Sequence, residues 1–384
     1  MTSEKLQIHA LILAGGRGTR FWPRSRTRTP KQLLNIVGKG TMLEQTVARL
    51  LPLIPAKRIW TVTNVEQAAA VKKQLPAAGR KRVLIEPVGR NTAAAIALAA
   101  FQIRQTAKGD ALMAVLPADH YIAQPEKYRK IVSAALEAAR EPGRMVVLGI
   151  PPTRPETGFG YVESGDDPLD SKGFPVFPVK RFTEKPALEM AQQYVASGNY
   201  HWNAGMFFWR VSTFLDNLKR FLPKTHDALA SLAASRSTWT VPTHLRRIFA
   251  KLENISVDYA ILEPASRQDG LPRVFVIPAE VGWSDIGSWA AVYELLAASG
   301  TVSRLSVASG SSTENGDIFL SPGMAIDASG NLIDIPGKFA ALIGVRDLVV
   351  VETPDALLIV PRDRAQDVAK VVKWLEEKKR RDLL

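Results

Sequence analysis

Residues 11–31 read LILAGGRGTRFWPRSRTRTPK, and this stretch decides how the rest of the chain is interpreted. An apolar run ends at Leu13 and is followed almost at once by Gly15, Gly16 and Gly18. Glycines this close together indicate a backbone that adopts left-handed conformations or approaches a ligand closely. The stretch also carries six basic residues and no acidic one. A row of backbone N–H groups flanked by cations is typical of a phosphate site, so a polyphosphate is a candidate ligand.

Two common phosphate-binding motifs do not fit this glycine pattern. In the dinucleotide motif G-x-G-x-x-G, counted from Gly16 and Gly18, the third glycine position holds Phe21. The Walker motif fails as well, because no Gly-Lys-Ser or Gly-Lys-Thr closes the loop. From the glycines alone, a turn within a solvated basic loop therefore stays an equal alternative.

The spacing of the whole stretch resembles that of a known enzyme family. GG-x-G-T-R, then W-P-x-S, then P-K is similar to the signature of the sugar-1-phosphate nucleotidyltransferases. Phe-Trp-Pro at 21–23 and Pro-Lys-Gln at 30–32 are similar to the mannose-1-phosphate guanylyltransferase branch. The resemblance implies transfer of GMP from GTP to mannose 1-phosphate, which gives GDP-mannose and diphosphate, with Mg²⁺ as the cofactor.

Length and composition are those of a globular protein with two units. The chain has 384 residues, of which 46% are hydrophobic and 23% charged, and single cores rarely grow past roughly 250–300 residues. A change of pattern near Ala298 predicts a nucleotidyltransferase domain over 1–299 and a small domain over 300–384. The absence of cysteine excludes disulfides and thiolate metal sites. No run reaches the ~20 apolar residues of a membrane span, so we expect a cytoplasmic protein with no membrane partner.

The net charge of +13 suits either nucleic acid or small phosphates. Seven basic residues and one acidic residue lie within the first 31 positions, around the glycine loop. The remaining basic residues are dispersed, and no helix-turn-helix, zinc finger or basic stripe with interleaved aromatic residues is visible. We therefore expect small phosphorylated substrates and no nucleic acid partner.

From Ile8 to Gly149, short β-branched runs alternate with helical patterns. This alternation predicts an α/β fold, namely a Rossmann-like, doubly wound and mostly parallel sheet. The predicted strands are 8–13, 58–63, 82–85, 111–116 and 145–149, and the predicted helices are 41–51, 66–75, 92–105 and 126–140. Ligands of such sheets bind at the carboxyl ends of the strands, which is where the glycine loop lies.

The resemblance implies site residues at these strand ends and, for Lys185, in a later segment. The implied nucleotide-binding residues are Leu13, Gly15, Gly16, Gly18, Thr19, Glu86, Arg90, Asn91, Pro117 and Asp119, and the implied catalytic residues are Arg20, Lys31 and Lys185. A carboxylate at Glu86 would accept hydrogen bonds from N1–H and N2–H₂ of guanine, which distinguishes guanine from adenine. Asn91 or Thr92, in the same loop, could be a helix N-cap, and for Thr92 we favour this interpretation.

Asp119 and Asp285 are the candidate metal ligands. Asp119 follows an apolar strand directly, and an aspartate in that position is often only a turn residue. Asp285 lies within the run VGWSDIGSW at 281–289. Both surroundings are similar to acidic motifs of the family, and the resemblance implies that the two aspartates bind Mg²⁺.

Three aromatic-rich runs later in the chain, at 158–162, 181–186 and 200–208, resemble the sugar-binding insert of the family. The resemblance implies that Gly160, Glu184 and Asn203 contact the sugar and that Lys185 binds its phosphate. Aromatic residues that alternate along a strand, such as Trp209, are better explained as core residues.

After Thr301 the chain consists of six short apolar runs separated by turn residues, which predicts a small all-β unit. Residues 363–379 predict a closing amphipathic helix. In the family this unit is a short left-handed β-helix. Because strand edges favour association, we expect this unit to take part in a homodimer.

Three other functions stay open from the sequence. The chain could be a nucleotidyltransferase for another sugar phosphate or another base, a catalytically inactive relative that senses nucleotide sugars, or a Rossmann-type oxidoreductase. Release of diphosphate from defined pairs of nucleoside triphosphate and sugar 1-phosphate separates them.

Overall fold

The computed structural model describes residues 6–107, 109–234, 242–267, 273–298 and 316–384. Its contacts divide the chain into two compact units. The first unit comprises Met1–Gly15, Val47–Ala118 and Ile122–Trp283, and the second comprises Gly16–Thr46, Asp119–Tyr121 and Ser284–Leu384. The glycine loop after Gly15 is therefore part of the second unit. The predicted domain boundary at 299/300 lies outside the described residues.

The elements alternate along the first half of the chain, and strands dominate its end. The strands are β1 Gln7–Leu13, β2 Ile59–Asn64, β3 Val83–Glu86, β4 Ala111–Pro117, β5 Tyr121–Ile122, β6 Met145–Ile150, β7 Tyr161–Ser164, β8 Leu169–Ser171, β9 Phe174–Thr183, β10 Tyr200–Arg210, β11 Val274–Pro278, β12 Trp283–Ser284, β13 Ile318–Phe319, β14 Gly323–Ile326, β15 Leu332–Asp334, β16 Ala340–Ile343, β17 Leu348–Thr353 and β18 Ala356–Pro361. The helices are α1 Met42–Leu50, α2 Ala68–Gln74, α3 Ala77–Arg80, α4 Asn91–Ala107, α5 Pro125–Ala138, α6 Leu188–Ser197, α7 Val211–Phe221, α8 Pro223–Ala234, α9 Pro242–Phe249, α10 Glu263–Ser266, α11 Trp289–Ala298 and α12 Val368–Glu377.

The first unit is built on one sheet with the strand order β3-β2-β1-β4-β10-β6-β11-β9-β7, and β8 pairs with β9. Strands β1 to β4 of this order run parallel, as do β6 and β11. Strand β10 is antiparallel to β4 and β6, between which it lies. The Rossmann-like α/β fold predicted from the sequence is confirmed, and the position of β10 between β4 and β6 is a feature that the sequence pattern did not predict.

The core of this unit explains why these residues form a buried sheet. Strand β4 consists almost entirely of buried apolar residues, and Ala10, Leu11 and Ile12 in the middle of β1 are buried and apolar as well, as expected for parallel strands that are covered on both faces. Helix α4 contributes a run of buried alanines, whose small side chains allow close packing. Trp209 is fully buried, with its ring 5.6 Å from that of Phe207 and 5.1 Å from that of Phe214. Its explanation as a core residue is therefore confirmed.

In the second unit, the six predicted apolar runs form strands β13 to β18. Strands β13, β15 and β17 pair in parallel, with β18 antiparallel at the edge, and β14 pairs in parallel with β16. Successive turns of chain thus stack on one another, as in a β-helix. The fully buried Asn331 supports this stack, because its amide donates to Asp317 Oδ1 and its oxygen accepts from the Leu348 N–H.

The closing helix begins later than predicted. Residues Arg362–Asp367 form a 3₁₀ helix, and α12 follows at Val368. Among the described residues, no helix is long and apolar enough to cross a membrane.

Candidate active site

A polar cavity of about 250 Å³ lies in the second unit. Its walls are formed by Gly18, Thr19, Arg20, Phe21, Lys31, Asp119, His120, Asp285, Ile286 and Gly287. Three segments that are distant in sequence therefore meet here: the glycine loop with Lys31, the pair Asp119 and His120, and the run 285–287. They bring together six of the predicted site residues.

Lys31 is the buried cation of this cavity, with only 5% of its side chain exposed. It lies on a 3₁₀ turn, Lys31–Leu33, and its Nζ is 2.9 Å from Asp119 Oδ2. The same Nζ donates to the backbone oxygen of Asp285 and lies 5.6 Å from the centre of the Phe21 ring. A buried charge is tolerated when it is paired and hydrogen-bonded, so these contacts fix the ammonium in one place.

Opposing effects act on the Asp119 carboxyl. Burial alone would raise its pKa, but the neighbouring Lys31 ammonium and His120 hold the pKa below the usual value of 3.8. Asp119 is therefore ionised at neutral pH. Asp285 lies on the same cavity wall, where its Oδ2 would be 2.9 Å from a Cβ placed on Gly287.

The glycine loop is folded tightly against Lys31. Gly18 has a φ of +60°, and a Cβ on it would lie 2.5 Å from the Lys31 Cβ, so only glycine fits without strain. Ser25 Oγ donates to the Gly18 oxygen at 2.7 Å, and Gln32 Nε2 donates to the Gly16 oxygen at 3.0 Å. These bonds hold the loop in its conformation. Arg20, on the next turn, donates to the Gly287 oxygen at 3.1 Å.

Three other cations of the basic stretch have carboxylate partners in the C-terminal part of the second unit. We call these three ion pairs the loop clamp: Arg17–Glu376, Arg24–Asp334 and Arg26–Asp355. The Trp22 indole adds a hydrogen bond of 2.9 Å to the Leu383 oxygen. From the sequence, all six basic residues suggested a phosphate environment. The structure places Arg20 and Lys31 at the cavity and uses these three arginines to fasten the loop.

A second group of predicted residues lies at strand ends of the first unit. Leu13 ends β1 and is paired with Pro117 at the end of β4, and Glu86 ends β3. Glu86 is 7% exposed, and within the described part of the chain its Oε1 has no hydrogen-bond partner. Its Oε2 would be 3.6 Å from a Cβ on Gly15. Burial raises the pKa of Glu86 to about 7. This buried carboxyl group therefore retains an acceptor that a ligand could use.

Arg90 and Asn91 follow in the same loop. The Arg90 guanidinium donates to the backbone oxygens of Phe249 and Ala250. Asn91 opens α4 with a φ of +60°, and its Oδ1 accepts from the Thr92 N–H. The Thr92 hydroxyl accepts from the Val257 N–H at 2.9 Å, so it joins α4 to a distant segment rather than capping its own helix.

The predicted sugar-binding residues also form one cluster in the first unit. Lys185 pairs with the Glu184 carboxylate, and a Cβ on Gly160 would collide with that carboxylate. The Asn203 N–H donates to the Gly160 oxygen at 2.8 Å. The Asn203 side chain donates to Asp258 Oδ1 at 2.7 Å. Sequence analysis missed Asp258, although an acidic residue inside the apolar run Val-Asp-Tyr-Ala-Ile-Leu at 257–262 was a usable signal.

Carboxylate oxygens dominate the potential metal ligands of the cavity. Among the described residues, no group of three or more His, Cys, Asp or Glu side chains could hold a metal ion. The cavity offers two aspartates, Asp119 and Asp285, from different segments. Two carboxylates fit a hard divalent cation that completes its coordination with water and phosphate oxygens.

Comparison with protein families gives two consecutive matches along the chain, in the order that the sequence pattern predicted. Residues 9–301 match the nucleotidyl transferase family. Residues 323–375 match the MannoseP isomerase/GMP-like beta-helix domain.

Similar proteins cover nearly the whole chain. The mannose-1-phosphate guanylyltransferase of Escherichia coli is 37% identical over 96% of this chain and 74% of its own length. The alginate biosynthesis protein AlgA of Pseudomonas aeruginosa is 37% identical over 95% of this chain and 72% of its own length. A crystal structure from Thermus thermophilus, described as a mannose-1-phosphate geranyltransferase, is 35% identical with a TM-score of 0.80, and the match covers 97% of this chain and 100% of that chain.

Proposed function

The chain belongs to the nucleotidyl transferase family, and from this membership we propose that it transfers GMP from GTP to mannose 1-phosphate, which gives GDP-mannose and diphosphate. The observation that carries the proposal is the buried Lys31, held between Asp119 and the Asp285 backbone in a polar cavity on the glycine loop. The names of the similar proteins from Escherichia coli and Thermus thermophilus support mannose 1-phosphate as the acceptor.

The reaction is a substitution at the α-phosphorus of GTP. An oxygen of the sugar phosphate forms the new bond to this phosphorus while the bond to the bridging oxygen breaks, so that diphosphate leaves. Because the attacking oxygen is already ionised, no general base is needed, and catalysis rests on alignment and charge stabilisation. The backbone amides of 15–18 with Arg20 bind the β- and γ-phosphates, and Thr19 belongs to the same nucleotide site. Lys31 binds the transferred α-phosphoryl group.

Enzymes of this family use a divalent metal, and we propose Mg²⁺ with Asp119 and Asp285 as its protein ligands. When bound, Mg²⁺ would offset negative charge on the phosphates. The low pKa of Asp119 keeps its carboxylate ready for a cation. Lys31 supplies a fixed positive charge beside it.

The base is selected by the first-unit strand ends. The buried Glu86 Oε1, which has no hydrogen-bond partner among the residues that the structure describes, supports this assignment, since a carboxylate there accepts both the N1–H and N2–H₂ donors of guanine. Leu13, Gly15 and Pro117 supply the surrounding backbone. Arg90 and Asn91 are proposed members of the same nucleotide site. Arg90 holds this loop in place through its hydrogen bonds to the backbone oxygens of 249–250.

The sugar is bound by the Gly160, Glu184 and Asn203 cluster, and Lys185 binds its phosphate. Gly160 packs closely on the Glu184 carboxylate, which supports this role, because backbone rather than a side chain then lies beside this hydrogen-bond acceptor.

We further propose a cytoplasmic homodimer in which the small β domain, 300–384, takes part. Exposed apolar side chains on its strands support this: Ile326 and Ile343 are neighbours on β14 and β16 and are 45% and 69% exposed. Replacing Ile343 by serine should shift the mass measured by light scattering toward the monomer. An unchanged mass would remove this surface from the interface.

The decisive experiment is diphosphate release from a panel of nucleoside triphosphates combined with mannose, glucose and heptose 1-phosphates. We expect the highest kcat/KM for GTP with mannose 1-phosphate. Preference for another pair would assign a different nucleotidyltransferase, and no release from any pair would favour a non-catalytic sensor.

Two lysines of the same segment provide a matched control for this assay. Lys31→Ala should abolish diphosphate release, whereas Lys39→Ala, at an exposed position, should not. Equal activity of both variants would show that the cavity around Lys31 is not the reaction site.

A further inference from the structure

Asp258 lies on an unusual piece of backbone in the first unit. Residues Asp258–Leu262 form a π-helical turn, in which the Glu263 N–H donates to the Asp258 oxygen five positions earlier. Such wide turns are rare and are often found at functional sites. The segment is also tied to the start of α4, because the Val257 N–H donates to the Thr92 hydroxyl. Asp258 is therefore placed by two independent constraints.

The π-helical turn packs against the sugar cluster. The Tyr259 hydroxyl donates to the Glu184 backbone oxygen at 3.4 Å, and the Lys185 Nζ lies 5.9 Å from the centre of the Tyr259 ring. Burial and the nearby Glu184 raise the pKa of Asp258, and Lys185 and the Asn203 hydrogen bond oppose this effect. Two carboxyl groups and one ammonium group therefore share a small, partly buried space.

The Asn203 side chain is already engaged within the protein. Its Oδ1 accepts from the Gly205 N–H at 3.0 Å, which leaves its amide nitrogen facing Asp258. After the bond to Asp258, Asn203 retains one N–H for a ligand, whereas a carboxylate retains several acceptor positions. The sugar cluster therefore offers acceptors mainly from Glu184 and Asp258.

We propose that Asp258 is a specificity-determining residue of the sugar site, where it accepts a hydrogen bond from a hydroxyl group of the sugar 1-phosphate. This inference rests on the proposed function and deepens it. A hydroxyl group donates one hydrogen, and two neighbouring hydroxyl groups can each donate to one of the two carboxylates. The arrangement of Glu184 and Asp258 then selects sugars by the positions of those hydroxyl groups, since a carboxylate left unmatched by the bound sugar is strongly unfavourable.

The test compares Asp258→Asn with the wild-type enzyme on mannose 1-phosphate and its 2-, 3- and 4-deoxy analogues. Asparagine keeps an oxygen for Asn203 but removes the charge. With mannose 1-phosphate we expect kcat/KM to fall roughly 10- to 100-fold, through KM for the sugar and not KM for GTP. With one of the deoxy analogues, the variant and the wild type should differ by less than about threefold. Asp216→Asn, an exposed aspartate of the same unit, is the control and should change neither value.

Equal losses on all four sugars would show that Asp258 contacts none of these hydroxyl groups, and no loss on any sugar would show that it plays no part. Either result overturns the proposal. A second measurement needs no variant: wild-type binding of the same four sugars is followed from pH 5 to pH 8. Protonation of Asp258, which faces Glu184, Lys185 and Asn203, should weaken the binding of the three sugars that carry the contacted hydroxyl group. Binding of the analogue that lacks this group should be less affected at low pH. Identical pH profiles would overturn the proposal.

The two proposals fail in different ways. If the wild type releases no diphosphate with mannose 1-phosphate, the proposed acceptor is wrong. The same comparison is then made with deoxy analogues of the hexose 1-phosphate that is turned over, and its outcome decides the role of Asp258.

Discussion

Replacing Glu86 by glutamine should stabilise the protein at alkaline pH and at the same time weaken its preference for GTP. Burial raises the pKa of Glu86 from 4.5 to about 7 in the folded protein. The stability that its neutral form contributes is therefore present below pH 4.5 and is lost as the pH rises through about 7. At about 1.4 kcal/mol per pH unit, the full loss is about 3 kcal/mol. Glutamine has nearly the same shape and does not ionise.

Urea unfolding at two pH values measures this difference. The Glu86→Gln variant should exceed the wild type by less than about 1 kcal/mol at pH 5 and by about 3 kcal/mol at pH 8.5. Glu253→Gln, at an exposed position of the same unit, should change the free energy of unfolding by less than about 0.5 kcal/mol at both pH values. If the Glu86 variant gains the same amount at both pH values, its carboxyl group is not buried in the folded protein.

Nucleotide binding supplies the functional half of this prediction. In the proposed base site, guanine requires the ionised Glu86 carboxylate, which is about one tenth populated at pH 6 and about nine tenths at pH 8 when the pKa is about 7. The wild-type preference for GTP over ATP should therefore fall roughly tenfold between pH 8 and pH 6. The ratio is the useful quantity, because titration of the triphosphate affects both nucleotides. In Glu86→Gln the preference for GTP over ATP at pH 8 should fall by an amount equivalent to about 1–3 kcal/mol. This preference should no longer depend on pH. An unchanged ratio would assign base recognition to other groups.

Further substitutions test three other parts of the site. Asp119→Asn and Asp285→Asn should each lower kcat on the order of 100-fold or more without unfolding the protein. Because both substitutions disable the same metal ion, the loss of kcat in the double variant should be far smaller than the product of the two single losses. A loss equal to that product would refute the shared metal site. Glu184→Ala should raise KM for mannose 1-phosphate roughly tenfold or more and leave KM for GTP unchanged, and equal rises for both substrates would contradict its assignment to the sugar. Gly18→Ala should lower the free energy of unfolding by about 1–3 kcal/mol, because the φ of Gly18 is +60° and a Cβ would press on Lys31. Gly16 has open space around it, so Gly16→Ala should change the free energy of unfolding by less than about 1 kcal/mol. Equal changes in the two variants would argue against a strained loop.

The parallel part of the sheet could be predicted from the sequence because its strands are continuous apolar runs that alternate with helical patterns. Predicted strands 8–13 and 111–116 became Gln7–Leu13 and Ala111–Pro117, so their ends differ by one residue. The position of β10 could not be predicted, because pairing between strands far apart in sequence is decided by packing. Its alternating aromatic residues indicated a strand, but nothing in them indicated a place between β4 and β6.

The site was predictable where a local pattern carries its chemistry. The glycine loop and the runs around Asp119 and Asp285 stand out in the sequence, although their roles stay predictions. The pairing of Lys31 with Asp119, 88 positions away, could not be predicted. A sequence shows the charge of Arg24 or Arg26 but not its partner. Asp258 was missed for a related reason, since its environment is assembled by a π-helical turn that has no marked sequence pattern.

The loop clamp has a consequence for how this chain can be recombined with its relatives. The family matches at 9–301 and 323–375 suggest two consecutive parts that could be exchanged. The clamp crosses that division, because Arg26 of the first match is paired with Asp355 of the second. A chimaera whose foreign C-terminal part lacks carboxylates at these positions would keep the arginines without their partners. The glycine loop would then lose these three ion pairs in a hybrid that keeps every residue proposed to be catalytic.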